Sequence, residues 1–172
     1  LFPMYTAGID AKDKSPAPAG ALFSSALMNV GFCGIYRCYQ VVHPTTIGSW
    51  VDSLLIISAV ISIFIAAVYM MKVTNYKRMF AYSSIEHMGL VMLGLAMGGI
   101  GIFAALLHLV LHSFVKAAMF YQMGIAYRVF GSKVVDGVGG YFRIYTTGAL
   151  VFLLGFFCVI AVPPSGLFIS EF

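Results

Sequence analysis

The chain has 172 residues, of which 61% are hydrophobic and only 9% are charged. A soluble domain averages about 25% charged residues, so this composition leaves too little polar surface to cover a water-exposed protein. The chain is therefore expected to lie in a lipid bilayer. Its formal net charge is +4, but most basic residues flank apolar runs. This placement favours a role in membrane orientation and argues against nucleic acid as a partner.

Five segments are each long and apolar enough to cross a membrane, because a spanning helix needs about 20 mostly apolar residues. They predict an all-α integral membrane protein, a polytopic helix bundle in which residues 1–172 form one membrane domain. The expected spans are approximately residues 17–36, 53–71, 79–98, 100–126 and 144–162.

The segment before the first span, residues 10–18, is polar and contains two prolines, so it is expected to be a loop. The chain begins at Leu1, ends at Phe172 and shows no signal-peptide pattern. Both ends are interpreted as cuts through a longer protein. Any function then belongs to the parent chain.

The third span contains Glu86 and His87, about one-third of the way along. A short glycine-rich turn at residues 98–101 follows it, so the third and fourth spans are expected to be antiparallel neighbours. Glu86 and Lys116 then lie at compatible depths for an ion pair. Such a pair can be purely structural, or it can move a proton when it forms and breaks.

The fourth span carries His108, His112 and Lys116 at spacing i, i+4, i+8. Each step of four residues drifts by only about 40° around a helix, so the three side chains share one face roughly 12 Å long. A charge near the bilayer centre costs at least about 2.5–3.5 kcal/mol. Histidine exchanges protons near neutral pH and a desolvated lysine can do so as well. This line of groups predicts a proton relay.

Two other interpretations of the fourth span stay open. In a structural role, the histidines would hydrogen-bond neighbouring helices and Lys116 would pair with an acid. In a metal or haem site, His108 and His112 would be ligands at a suitable i, i+4 spacing. A lysine one turn along would repel the cation and no third ligand is evident nearby, so no metal site is expected.

The fifth span ends at residues 163–166 (PPSG), where a continuous helix fails because Pro164 has no amide hydrogen and Pro163 is pushed away from helical angles. An apolar segment resumes at Leu167 and reaches Glu171. The pattern indicates a broken transmembrane helix of the kind that holds ions in transporters. In the alternative interpretation, Glu171 emerges at the far membrane interface.

The basic residues concentrate in three regions, residues 1–16, 72–78 and 127–143, which hold eight of the ten lysines and arginines. With alternating spans these regions share one side of the membrane. The positive-inside rule places that side in the cytoplasm.

The stretches that carry a family resemblance are residues 76–89 (YKRMFAYSSIEHMG), 108–120 (HLVLHSFVKAAMF) and 163–172 (PPSGLFISEF). Together they resemble the antiporter-like subunits of respiratory complex I, Mrp-type cation/proton antiporters and membrane-bound hydrogenases. Residues 1–4 and 15–21 are similar to the stretch that follows an earlier discontinuous helix in that family. The segments 86–89 and 163–168 look most like the hydrogenase-4 component F branch.

The resemblance implies a fragment of an inverted-repeat fold with a discontinuous helix at its C-terminal end. It also implies that Lys116 is the central relay lysine and Glu171 the exit-side charge. At the helix entrance, Lys77 or Arg78 matches the family's basic pair. Ser24 departs from the pattern, because some relatives carry a relay histidine or lysine there.

The implied function is proton translocation as the membrane subunit of a redox-driven complex, of the membrane-bound hydrogenase or NADH:quinone oxidoreductase type. No redox centre or cofactor is expected in this chain, since cofactors would lie in partner subunits, and a prokaryotic cytoplasmic membrane is the expected location. The alternatives are a Na⁺/H⁺ antiporter subunit of the Mrp type and a structural membrane anchor. The expected proton relay comprises Lys116, His112, His108, Glu171, Glu86 and His87.

Overall fold

The computed structural model describes residues 3–172. Leu1 and Phe2, which belong to the family-like stretch at residues 1–4, lie outside the described residues. The regular elements of the described chain are all helices, without a β-strand, which confirms the predicted fold class. A π-helical turn, Phe23–Leu27, joins α2 to α3, and a 3₁₀ turn, Val135–Gly137, precedes α7. The α-helices are α1 (Thr6–Lys14), α2 (Ala17–Leu22), α3 (Met28–Val42), α4 (Gly48–Met70), α5 (Tyr76–Met97), α6 (Ile100–Phe130), α7 (Tyr141–Ile144), α8 (Thr146–Val159) and α9 (Gly166–Glu171).

Four helices of the described chain are long and apolar enough to cross a membrane: Ala17–Val42, Gly48–Met70, Tyr76–Met97 and Ile100–Phe130. The fifth apolar helix, α8, has only 14 residues and is about 21 Å long at 1.5 Å per residue. It is therefore shorter than the roughly 30 Å hydrocarbon core of a bilayer. The chain is a membrane protein in which α8 is continued, after a break, by α9.

Helix α1 corrects the expectation of a loop before the first span. It is nine residues long, too short to be stable alone, so packing against the rest of the protein must hold it. Ile9 and Lys12 are buried on its inner face, and Asp10 pairs with Arg78 of α5 at 3.0 Å. The polar residues that suggested a loop are instead the anchors of a short helix.

Helices α5 and α6 form a tight antiparallel hairpin, as the glycine-rich turn predicts. Gly98 and Gly99 join them with φ of 69° and 53°, angles that residues with a side chain rarely adopt. The backbones stay close one turn further in, because a Cβ on Gly101 would lie 2.6 Å from the carbonyl oxygen of Gly94. This hairpin brings the polar residues of the third and fourth expected spans together.

The break between α8 and α9 has a defined geometry. The amides of Ala161 and Val162 bond to the carbonyls of Cys158 and Phe157 at 3.1 Å each. This pattern ends α8 as a Schellman motif, with Ala161 at φ 55°. The Ser165 side chain then accepts a hydrogen bond from the amide of Phe168 and starts α9.

The three basic regions meet at one end of the bundle. The Tyr76 amide bonds to the Lys133 carbonyl at 3.1 Å, and Lys133 pairs with Asp13 of α1 at 3.6 Å. Lys12 and Lys77 are buried, so they do not stand free in loops as the orientation argument assumes. The regions nevertheless lie on one side of the molecule, as that argument requires.

Candidate functional site

Lys116 lies near the midpoint of the 31-residue helix α6 and has no exposed surface. Its ammonium donates to the Ser83 hydroxyl at 2.9 Å and to the Phe80 carbonyl at 3.3 Å. It also lies 5.1 Å from the centre of the Phe80 ring, within range of a cation–π interaction. Lys116 and Glu86 form no direct ion pair among the described residues, so the lysine is held by neutral groups of α5.

Three histidine rings pack together beside this lysine. His108 and His112 lie one turn apart on α6 with ring centres 6.2 Å apart, as their spacing predicts. His87 of α5 packs against both, with ring centres 5.1 Å from His108 and 5.0 Å from His112. Its Nδ1 atom is 3.1 Å from Nε2 of His108, a hydrogen bond between the two rings. His87 is therefore as central to the cluster as the α6 histidines.

The segment after the break completes this cluster. Glu171 places a carboxylate oxygen 3.7 Å from Nδ1 of His87 and 3.9 Å from Nδ1 of His108. Ser170 lies 3.0 Å from Nδ1 of His108 and donates its hydroxyl hydrogen to the Leu167 carbonyl at 2.8 Å. The discontinuous helix thus brings its acid to the histidines.

Glu86 faces the same region from a different direction. It is half-buried and lines a cavity of about 400 Å³ together with Ser83, His87 and Glu171. A cavity of this size has room for several water molecules, each of which occupies about 30 Å³ in the liquid. One cavity therefore joins Glu86 to Ser83, the partner of Lys116, and to Glu171 beside the histidines.

His112 lies between the histidine pair and the lysine, and it is fully buried. Neither of its ring nitrogens has a hydrogen-bond partner within the described chain. Buried polar atoms are normally hydrogen-bonded, either to protein or to water. The His112 ring therefore has no protein partner at the centre of the polar line, which consists of Lys116, His112, His108, His87 and Glu171.

Ser24, the residue that departs from the family pattern, lies on the π-helical turn Phe23–Leu27 and is fully buried with an unpartnered hydroxyl. Five residues further along, Asn29 hydrogen-bonds to Ser113 of α6 at 2.9 Å. Because the two helices run in opposite directions, Ser24 lies near the level of Lys116. π-Helical turns of this kind are frequent at functional sites.

Lys12 is a buried cation that the sequence placed in a loop. It is 3% exposed on α1. Burial lowers the pKa of Lys12 to about 7, because removal from water disfavours the ammonium form. Lys12 is therefore a buried titratable lysine, like Lys116, but it lies at the end of the bundle where the basic regions meet.

The predicted entrance pair ties α1 to α5. Lys77 is buried and donates to the Ser15 carbonyl at 2.9 Å, while Arg78 holds Asp10. Sequence reasoning missed Ser83, Ser170 and Lys12. Ser83 lies one turn before Glu86, and this i, i+3 spacing was the one signal that could have found it.

The fold and the cluster together define a class of protein: a polytopic membrane subunit with a line of titratable groups buried in its helix bundle. The family described as NADH:quinone oxidoreductase/Mrp antiporter, TM matches residues 1–172. The chain belongs to this family of antiporter-like membrane subunits, which confirms the resemblance drawn from its motifs.

Two relatives and one solved structure show where the chain stands within that family. It is 31% identical over 173 residues to the hydrogenase-4 component F homolog of Methylacidiphilum infernorum (isolate V4), covering all of this chain and 36% of the relative. It is 29% identical to NAD(P)H-quinone oxidoreductase chain 4 1 of Picosynechococcus sp., covering 99% of this chain and 32% of the relative.

The solved structure is that of the membrane-bound sulfane sulfur reductase, an archaeal respiratory membrane complex. The match has a TM-score of 0.94 and 28% identity, covering 99% of this chain and 35% of the matched chain. This chain spans about a third of the length of the relatives it matches.

Proposed function

We propose that this chain is the proton-conducting part of the membrane subunit of a redox-driven complex, of the membrane-bound hydrogenase or NADH:quinone oxidoreductase type. The observation that carries the proposal is the burial of Lys116 at the middle of α6, beside three histidines and without an acid partner among the described residues. A charged group at this depth is costly and usually marks an ion pathway.

The geometry supports a path of short steps. Lys116 and His112 lie one turn apart, and a water molecule between them would bond to one of the two ring nitrogens of His112 that have no partner within the described chain. From His112 the path continues to His87 and His108, whose rings share a hydrogen bond. It ends at Glu171, next to the cavity that Glu86 also lines.

In this proposal the end of the bundle where the basic regions meet faces the cytoplasm of a prokaryotic cell. Lys77 and Arg78 keep α1 against the cytoplasmic end of α5. Lys12, buried on α1 at that end of the bundle, is the proposed cytoplasmic extension of the path. The buried Ser24 hydroxyl contributes through water at the level of Lys116.

Electrons would move in partner subunits, where we place the redox cofactors. The relatives include a hydrogenase-4 component, an NAD(P)H-quinone oxidoreductase chain and formate hydrogenlyase subunit 3 of Escherichia coli. These are names of subunits of larger oxidoreductases. The partners proposed for the parent chain are therefore other membrane subunits of such a complex.

A second candidate is Na⁺/H⁺ antiport, since the family description also names an Mrp antiporter. The observation in its favour is the cavity that Glu86 and Glu171 share, since two carboxylates are oxygen ligands suited to a hard cation.

Ion specificity tests the proposal. Inverted membrane vesicles that contain the full-length protein in its complex would be supplied in turn with NADH, formate and hydrogen. Acidification of the vesicle interior in sodium-free medium, abolished by a protonophore, is the expected result. Acidification that requires Na⁺ would favour antiport instead. A donor that drives electron transfer without any ion movement would leave only an anchoring role.

A further inference from the structure

His87, His108 and Glu171 come from three different helices and bring one ligand atom each close together. The three atoms all lie within 4.8 Å of one another. Nδ1 of His87 is 3.1 Å from Nε2 of His108 and 3.7 Å from the Glu171 carboxylate. Both histidines are almost fully buried. Convergence of this kind across α5, α6 and α9 resembles a coordination site more than a chance cluster.

We infer that His87, His108 and Glu171 form a binding site for a divalent transition-metal ion of the zinc class. Two imidazoles and one carboxylate are a ligand set used by zinc sites that keep a fourth position open. The same residues belong to the proposed proton path. In that one respect the inference rests on the proposed function, because a bound ion would then stop proton transfer at this point.

Two of the three ligand-atom distances lie near the value for tetrahedral coordination, and the third is at most 4.8 Å. With metal–ligand bonds of about 2.0–2.1 Å, the ligand atoms of a tetrahedral zinc site are roughly 3.3 Å apart. The histidine pair, at 3.1 Å, and the His87–Glu171 pair, at 3.7 Å, already bracket that value. Glu171 is 30% exposed in its side chain and can move closer by rotation. Little rearrangement is needed to complete the site.

Neighbouring groups hold the histidines in a form that can bind. His108 can donate its Nδ1 hydrogen to Ser170, whose own hydroxyl donates to Leu167. This leaves the Nε2 lone pair pointing toward His87. Metal-ligating histidines almost always have such a partner on the other ring nitrogen. Val159, the last residue of α8, lines the cavity beside His87, so its carbonyl, free of a helical partner, can accept the other ring hydrogen when Nδ1 turns to the ion.

The charges around the site offset the objection raised by the sequence. Lys116 would repel a bound cation, because its ammonium, held by Ser83 and the Phe80 carbonyl, borders the cavity that His87 and Glu171 line. Glu171 supplies one negative charge as a ligand. Glu86 lines the adjoining cavity and can supply a second, which together neutralise a divalent ion.

Cobalt(II) is the probe for the site, because it adopts zinc geometry and its visible absorption reports tetrahedral coordination. It would be titrated into the purified full-length protein in its complex. The expected result is one tetrahedral cobalt that Zn²⁺ displaces. His87→Gln, His108→Gln and Glu171→Gln should each weaken binding at least about 10-fold, and Ser170→Ala about 10–100-fold. Glutamine keeps a polar side chain, so it limits loss of folding.

Two control variants separate this site from its competitors. His112→Gln should leave the cobalt spectrum unchanged, whereas it would remove the metal if His108 and His112 were the ligands. His43→Ala removes an exposed histidine that lies 3.6 Å from Asp52 and should also have no effect. The site would be overturned if the tetrahedral cobalt spectrum were unchanged in all three ligand variants, or if it were lost in His43→Ala.

Inhibition is measured separately by adding Zn²⁺ to vesicles that pump protons. The inhibitory concentration should match the binding constant and rise about 10–100-fold in Ser170→Ala. If cobalt binds tetrahedrally but Zn²⁺ does not inhibit proton pumping, the metal site stands and its role in blocking proton transfer is overturned. Because cobalt binding needs no transport, failure of the proposed proton pathway would leave the spectrum intact, and the two failures can be told apart.

Discussion

Helices α4 and α5 lie side by side in the same membrane protein and are built in opposite ways. In the most apolar part of α5, 67% of the residues are buried, against 17% in α4. Yet α5 carries Lys77, Arg78, Glu86 and His87, whereas the one charged residue of α4 is Asp52, near its start. The more apolar helix lies outside because lipid is its solvent. The helix that carries titratable groups is enclosed because lipid cannot hydrate them.

The largest predicted change in stability is at Lys12, a buried titratable residue that packs with the enclosed part of the bundle. Lys12→Met should stabilise the full-length protein in detergent by on the order of 4 kcal/mol below pH 7, since burial lowers the pKa of Lys12 from 10.5 to about 7. Between these values the unfolded state binds more protons, so wild-type stability rises with pH. The difference between variant and wild type should close as pH approaches 10.5.

Thermal unfolding across this pH range measures the effect of Lys12→Met. Lys14→Met is the matched control, because Lys14 is exposed on the same helix and should change stability little at any pH. A Lys12→Met advantage that stayed constant with pH would mean that the lysine is not held in a desolvated site.

A charge on the outer face of α4 should be nearly as costly. Ile57 is 55% exposed near the middle of α4, so Ile57→Lys should cost about 2.5–3.5 kcal/mol of membrane insertion. The amount of protein inserted in membranes is the measurement, with Ile57→Leu as the control. Normal insertion of Ile57→Lys would show that this face meets protein or water and not lipid.

The close approach of α5 and α6 predicts a smaller loss. Gly101→Ala places a Cβ 2.6 Å from the Gly94 carbonyl oxygen, so the two backbones must separate at a cost of about 1–3 kcal/mol. Gly31→Ala is the control, because nothing lies within 4 Å of a Cβ added there. Thermal unfolding should show a lower midpoint for the first variant and an unchanged or higher midpoint for the second.

The smallest predicted effect lies at the end of α8. Ala161 adopts φ 55°, which costs an alanine roughly 1 kcal/mol and a glycine almost nothing. Ala161→Gly should therefore raise the unfolding midpoint slightly. A lower midpoint would indicate that the methyl group contributes packing that outweighs the backbone strain.

The sequence predicts features that depend on one helix at a time. The single face shared by His108, His112 and Lys116 follows from their spacing, and the break before Glu171 follows from two prolines. It does not predict which groups meet between helices. Glu86 was a possible partner for Lys116 because both residues were expected at similar depths in the membrane. In the structure, the rotation of α5 about its axis presents Ser83 to the lysine instead.

Short polar segments were the other source of error. Residues 10–18 have the composition of a loop, and α1 exists because Asp10, Asp13 and the Ser15 carbonyl find partners elsewhere in the chain. Such contacts join residues more than 60 positions apart. No local pattern can therefore reveal the helix or the burial of Lys12.

The central claim is that the enclosed polar line, and Lys116 in particular, carries protons. The most direct test is the number of protons translocated per electron pair in vesicles containing Lys116→Ala, compared with Lys14→Ala as a surface control. Complex assembly and electron-transfer rate would be checked for both variants. We expect a normal ratio in Lys14→Ala and a clearly lower ratio in Lys116→Ala with the complex assembled. An unchanged ratio in Lys116→Ala would contradict the claim and make the buried line structural.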